Sequence, residues 1–363
     1  MSAFNLSKNP IYDHCFSQDR KTVAITKEND VLLFDVSGAK PYLITTLTHH
    51  DKPVTAVDIS SDGKIVTCSQ DRNALVWDLS GDGRTYKPTL VLLRINRAAT
   101  CARWAPNGRK FAVGSSDRVV AICYYEAEND WWISKHLKKP LRSTILSVDW
   151  HPNNVLLACG SADGHVRVFS TYIKSVDSKP EPSVWGERLP FQTLCADYIG
   201  NSGGSWIHDV RFSPGAEFLA FVSHDGNVNI VYPSPPVGSE PGVPAAYFEV
   251  RTRHLPFKSL AFVNDNKLVA GGFDAHPVVF EGSEQGWQLT KSIDDPTEAK
   301  KHVQEEQSAI DLFKSMDLKG KSGSKFSESL PTIHQNTITK VKLYSPNSIS
   351  TSGNDGKLVV FKV

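Results

Sequence analysis

Apolar and polar residues alternate along this chain in short blocks. Runs of strand length, rich in Val, Ile, Ala and Phe, are separated by tight polar turns, the pattern of covered β-strands rather than of long helices. The stretch from Val54 to Asp78 shows the unit in full. Two strand-type runs flank a Ser61-Asp62-Gly63 turn, and a third run, Ala74 to Leu79, contains Trp77-Asp78. Asp71 precedes Trp77 by six residues, and the same step leads from Asp117 to Cys123, Asp163 to Phe169, Asp225 to Val231, Asp274 to Phe280 and Asp355 to Phe361. Glu28 takes the acidic place before Phe34, which makes seven copies. A repeat at a fixed period outranks other fold signals. The acid itself has a structural reason: a carboxylate in a tight turn accepts backbone N–H groups that have no ladder partner.

The spacing selects the architecture. Asp71 to Asp117 and Asp117 to Asp163 are each 46 residues, Glu28 to Asp71 is 43, and Asp225 to Asp274 is 49. A period near 45 residues holds three covered strands and one variable outer strand, one blade of a propeller. The whole chain, residues 1–363, therefore reads as a single closed all-β body of seven blades. Between Asp163 and Asp225 the interval is 62 residues, and the surplus, roughly Tyr172 to Pro190, reads as a surface loop. The chain also stops one strand short, after Lys357–Lys362, while Ala3–Ser7 stands unused before blade one. A closed ring hides its edges. The N-terminal residues are accordingly expected to supply blade seven's outer strand.

One segment does not fit the repeat. Asp274 to Asp355 is 81 residues, and the surplus, residues 293–333, falls between blades six and seven. Asp295-Pro296-Thr297-Glu298 is a helix start. Farther on, Ala309, Leu312, Phe313 and Met316 fall on one helical face. The segment is expected to carry a short amphipathic helix on tethers, either folded back on the ring or projecting to insert into another protein. Burying four such side chains contributes roughly 6–12 kcal/mol at about 1.5–3 each. Ordering ten residues costs roughly 10–20 kcal/mol at about 1–2 each. Such a helix binds usefully where the ring is already held beside its target.

Composition narrows the function classes. A formal net charge of +1 offers no general field for a polyanion, so nucleic acid is not an expected partner. The six Cys are scattered without C-x-x-C or Cys/His ligand spacing, which reads as small apolar residues in a reducing compartment. The start, MSAFNLSKNP, has no apolar signal core, and no run reaches membrane-spanning length. A cytoplasmic protein without membrane insertion is expected. His49-His50-Asp51 has no nucleophile in register, and the Gly200–Gly204 stretch lacks the Lys-Ser/Thr of a phosphate loop. The expectation is no enzyme, no cofactor and no metal. Lys135, Lys138, Lys139 and Arg142 gather on blade three's outer strand and its exit, either as a lysine-protected edge or as a landing site for acidic segments. Trp131-Trp132 are adjacent strand residues and should face opposite ways.

At His50, Ser69, Asp71 and Trp77 the second blade resembles WD-repeat proteins, in which these places form a structural tetrad bracing the turn. The fold class thereby implied is a seven-bladed WD40 β-propeller. The run DKPVTAVDIS, the stretch from Cys101 to Gly164 and the late insertion are similar, more specifically, to the 40-kDa WD-repeat subunit of the actin-related protein 2/3 complex. That resemblance implies a non-catalytic scaffold for nucleating branched actin filaments, cytoplasmic and part of the actin cytoskeleton. Its implied partners are the other subunits of that complex and the actin filament. On this chain the implied actin contact falls on Ile310, Leu312, Phe313 and Met316. The acidic tails of nucleation-promoting factors would be the segments landing on Lys135, Lys138, Lys139 and Arg142. The competing reading is a general WD-repeat adaptor that presents ligands to another enzyme complex.

Overall fold

The computed structural model describes residues 2–294 and 330–363, apart from residues 39, 82, 84, 188, 201, 202, 238 and 239. Seven four-stranded antiparallel sheets form the seven blades, and the described residues contain no helix. Blade two shows the plan: Val54–Ile59 lies innermost, followed by Ile65–Ser69, Ala74–Leu79 and the rim strand Tyr86–Val91. Seven apolar clusters hold the ring, and each draws its residues from two neighbouring blades. Phe111 of blade three, for example, packs with Val76 and Val91 of blade two, whereas Phe169 of blade four packs with Ile122 of blade three. This two-sided burial is why the inner runs are apolar throughout instead of alternating.

Blade seven takes its rim strand from the opposite end of the chain. Ser2–Asn5 pairs antiparallel with Lys357–Lys362, with Phe4 opposite Leu358. At the end of this strand Ser7 N–H donates to the Gly356 carbonyl. Gly356 has φ +74°, and a Cβ there would stand 2.0 Å from the Ser7 carbonyl oxygen, so this turn requires glycine. The first innermost strand, His14–Phe16, completes the join from the other side. His14 is fully buried, with Nδ1 2.9 Å from Ser352 Oγ and Nε2 2.9 Å from Ser350 Oγ. Thr339 Oγ1 donates to the Ile11 carbonyl, and Lys342 Nζ lies 3.0 Å from Asp13 Oδ1.

Two features depart from the sequence expectation or lie beyond it. The surplus at 172–190 is more than a surface loop. Trp185 is 1% exposed, packs edge-on against Phe212, and donates its indole N–H to the Ala216 carbonyl. Asp177, also buried, accepts a 2.6 Å bond from Lys110 Nζ, and the same ammonium bonds the Thr171 carbonyl and hydroxyl. A buried Lys persists only when paired and fully hydrogen-bonded, and Lys110 reaches across from blade three to meet that condition. The late insertion has its helix-start motif and Ile310, Leu312, Phe313 and Met316 outside the described residues. Its two ends are described, and they meet: Asp294 Oδ2 accepts from Ile333 N–H at 2.5 Å, and Ile293 N–H donates to the Pro277 carbonyl. The chain thus leaves blade six and enters blade seven at one point.

Burial holds the His14 pKa at about 3, against an ordinary 6.5, with Lys342 adding to the effect and Asp13 opposing it; burial likewise holds His208 at about 3. Both rings stay neutral in the fold and would take up a proton once unfolded. Stability is therefore complete above about pH 6.5 and falls as the pH drops from there toward 3. Each such histidine contributes a slope of roughly 1.4 kcal/mol per pH unit within that window. The unfolding temperature measured at pH 7.5, 6 and 5 should fall, and His14→Gln should flatten the dependence while lowering stability at pH 7.5.

Candidate interaction face

In a four-stranded meander the second-to-third turn and the connection to the next blade lie on one side of the ring. The first-to-second and third-to-fourth turns lie on the other. The repeated acids stand on the first of these faces and staple it. Asp71 Oδ2 accepts from Asp51 N–H and lies 2.7 Å from His50 Nδ1, while its Oδ1 accepts from Asn73 N–H. The same arrangement joins Asp117 to Asn96 N–H, Asp274 to Leu255 N–H and His254, and Asp355 to Gln335 N–H and His334. In each case a carboxylate in a turn accepts the backbone donors of the neighbouring connection. For Asp274 and Asp355 burial opposes ionisation, yet the His hydrogen bonds and the amides hold both carboxyls below their ordinary range.

Thr67 is the member that sequence reasoning missed. Its hydroxyl oxygen lies 2.8 Å from His50 Nε2 and accepts the Trp77 indole N–H at 3.0 Å. Burial keeps His50 below its ordinary pKa despite Asp71, so the ring is neutral and a proton order follows. Trp77 donates to Thr67, Thr67 to His50, and His50 to Asp71. Ser69 stands aside from this relay: its hydroxyl donates to the Lys52 carbonyl and accepts from Asp71 N–H. Blade seven repeats the relay through Thr351, 2.7 Å from His334 Nε2, with Phe361 in place of the Trp. These groups are tied up in structural bonds, and the arrangement offers a scaffold rather than reactive chemistry.

The same face carries several surfaces available to a partner. The two ends of the insertion, at Asp294 and Ile333, emerge on it. So does the turn after Trp131–Leu137, where Lys138, Lys139 and Arg142 are all exposed and face no carboxylate among the described residues. Lys135 is exposed too, but its ammonium lies 5.8 Å from the ring centroids of Tyr124 and Phe191, on the side toward blade four. Toward the other face, just after the third-to-fourth turn, Trp131 is 58% exposed, whereas Trp132 packs on Trp104, Phe111 and Tyr125, the split that strand alternation predicts. A second group had no sequence signal beyond isolated aromatics. Trp206, Leu255 and Phe273 are exposed on the connections and turn of blades five and six, with His224 between the two aromatic rings.

Metal and thiol chemistry find little footing. No group of three or more His, Cys, Asp or Glu among the described residues could hold a metal ion. All six Cys are free and buried, and burial pushes Cys15, Cys159 and Cys195 up to about 12. No helix among the described residues is long and apolar enough to cross a membrane.

Seven four-stranded blades, closed by the N-terminal strand and braced by His–Thr–Asp relays, define a WD-repeat β-propeller. The family model for the WD domain, G-beta repeat, matches residues 41–78 and 134–170. The chain is 45% identical to actin-related protein 2/3 complex subunit 1 of Saccharomyces cerevisiae, over all of this chain and 97% of the relative. It is 47% identical to the protein of that name from Schizosaccharomyces pombe, over 97% and 96% of the two chains. It is 36% identical to subunit 1B of Arabidopsis thaliana, over 96% and 93%. The chain belongs to the actin-related protein 2/3 complex subunit 1 family.

The Thr67 hydroxyl is the joint of the relay. Thr67→Val preserves shape and strand propensity but leaves His50 Nε2 and the Trp77 N–H without partners, at about 1–3 kcal/mol for each group that stays dry. Urea unfolding of Thr67→Val should show a lower midpoint at unchanged slope, with slope times midpoint shift equal to that loss, and Trp77→Phe combined with it should add less than it does alone.

Proposed function

We propose that this chain is the non-catalytic propeller subunit of an actin-related protein 2/3 complex, cytoplasmic and part of the actin cytoskeleton. There it holds neighbouring subunits together and supports nucleation of branched filaments. Full-length similarity to proteins named as subunit 1 of that complex, in two yeasts and a plant, carries the reading.

Within this function, Ile310, Leu312, Phe313 and Met316 of the insertion contact actin. The joined ends at Asp294 and Ile333 favour this, because the ring is complete without the intervening residues. Lys138, Lys139 and Arg142, together with Lys135, receive the acidic tails of nucleation-promoting factors; their exposure, with no carboxylate partner among the described residues, supports that role. Trp131 and the Trp206–Phe273 group are surfaces for neighbouring subunits, since exposed Trp rings are concentrated at interfaces.

Replacing residues 295–329 with a short Gly-Ser link, which keeps Asp294 and Ile333, separates these roles. The complex should still assemble with unchanged stoichiometry, while branch formation in a pyrene-actin assay falls severalfold; full branching activity would remove actin contact from the insertion. Reversing Lys138 and Lys139 to Glu should weaken binding of an acidic peptide to the complex about five- to tenfold at low salt and flatten its salt dependence. Fluorescence anisotropy at two ionic strengths reads both effects.

A further inference from the structure

The channel through the ring opens, on the face opposite the insertion, into a cavity of about 390 Å³. That lies within the size range of small-ligand sites. Arg20, Arg103, Arg211 and Lys342 line it, with Phe212 and Phe262 among its apolar walls. The guanidiniums of Arg103 and Arg211 converge on one atom: Asp149 Oδ1 is 3.3 Å from Arg103 Nη2 and 3.7 Å from Arg211 Nη1. Arg211 Nη1 also meets Asp209 at 3.0 Å and donates to the Val210 carbonyl. Lys342 stands beside Asp13, and Arg20 rests over the Tyr344 ring with no carboxylate partner among the described residues.

These ion pairs account for part of the charge and leave a remainder. Deeper in the channel Lys340 faces the same carboxylates, whereas the Lys258 ammonium lies 5.9 Å from the Phe273 ring centroid, toward the other face. Five cations (Arg20, Arg103, Arg211, Lys340 and Lys342) thus stand against four carboxylates (Asp13, Asp58, Asp149 and Asp209), and no carboxylate is among the residues that line the mouth itself. The excess of one lies toward the mouth, in a narrow passage of a protein whose overall net charge is only +1, and low-dielectric walls focus the field on the opening. Arg103 carries five N–H donors and uses one on Asp149; among the described residues the others meet no acceptor. Planar donor forks in a cationic mouth match the several oxygens of a phosphate better than a single carboxylate.

We propose that this channel mouth is a binding site for a small phosphorylated molecule, with the phosphate held between Arg103, Arg211 and Arg20 and any ring lying against Phe212. The site lies on the face opposite the insertion and the basic cluster, and the proposal does not rest on the roles assigned to them. Calorimetric titration of the purified full chain with pyrophosphate, ADP and citrate tests it. Pyrophosphate and ADP should bind one to one with submillimolar dissociation constants, and citrate markedly more weakly. Arg20→Ala, on the rim and free of carboxylate partners, should weaken both phosphate ligands several-fold. Arg103→Lys keeps a counter-charge for Asp149 and should weaken them about tenfold, with the unfolding temperature of either variant close to that of the parent. Lys138→Glu, on the other face, should change nothing. Absence of heat with pyrophosphate, citrate binding as tightly as pyrophosphate, or loss of binding in Lys138→Glu but not in Arg20→Ala would each overturn the assignment.

Discussion

No blade of this ring has an interior of its own. A twisted four-stranded sheet presents two apolar faces, and here each face is covered only by the blade beside it, so all seven apolar clusters are shared property. The closing interface is then as necessary as any other, although its partners are more than 300 positions apart in the chain: His14 meets Ser350 and Ser352, and Ser2–Asn5 pairs with Lys357–Lys362. Bringing such distant segments together carries a loop-closure cost that grows only slowly with length. The apolar surface covered at the join, including Ile11, Phe16 and Leu358, offsets it.

The polar groups follow the same rule, each spanning a boundary. The acids of the second-to-third turns bind the connection entering their own blade from the neighbour before it. Lys110 crosses from blade three to the loop after blade four's third strand, and burial lowers its pKa while Asp177 pulls it back up. In the channel, Asp149 of blade four sits between Arg103 of blade three and Arg211 of blade five. Charge here marks the places where neighbouring blades are registered against one another.

What could be read in the sequence follows from whether a residue's role depends on spacing or on distant partners. Asp71, Asp117, Asp274 and Asp355 recur because a turn that accepts neighbouring amides needs a carboxylate at one register, and that register repeats. The borrowed N-terminal strand was legible by counting strands. Thr67 and Thr351 were not, since Thr is an ordinary strand residue and only the fold reveals the imidazole and indole beside it. Lys110 and Asp177 are 67 positions apart, and neither stands in a repeat. Trp185 lay inside a Pro-containing surplus that looked like solvent-exposed loop. Within the basic group, proximity in sequence concealed that Lys135 lies against Tyr124 and Phe191, on the blade-four side of its strand.

The hydrogen bond between Asp294 and Ile333 has a mechanical consequence. Any force applied to the residues between them reaches the ring at one anchorage, where Ile293 is tied to Pro277 and the Ile333 carbonyl to Lys357 Nζ. A load entering at a single anchorage cannot act as a lever between distant blades. It pulls on the seam of blades six and seven, and the remaining five blades carry tension without being wedged apart.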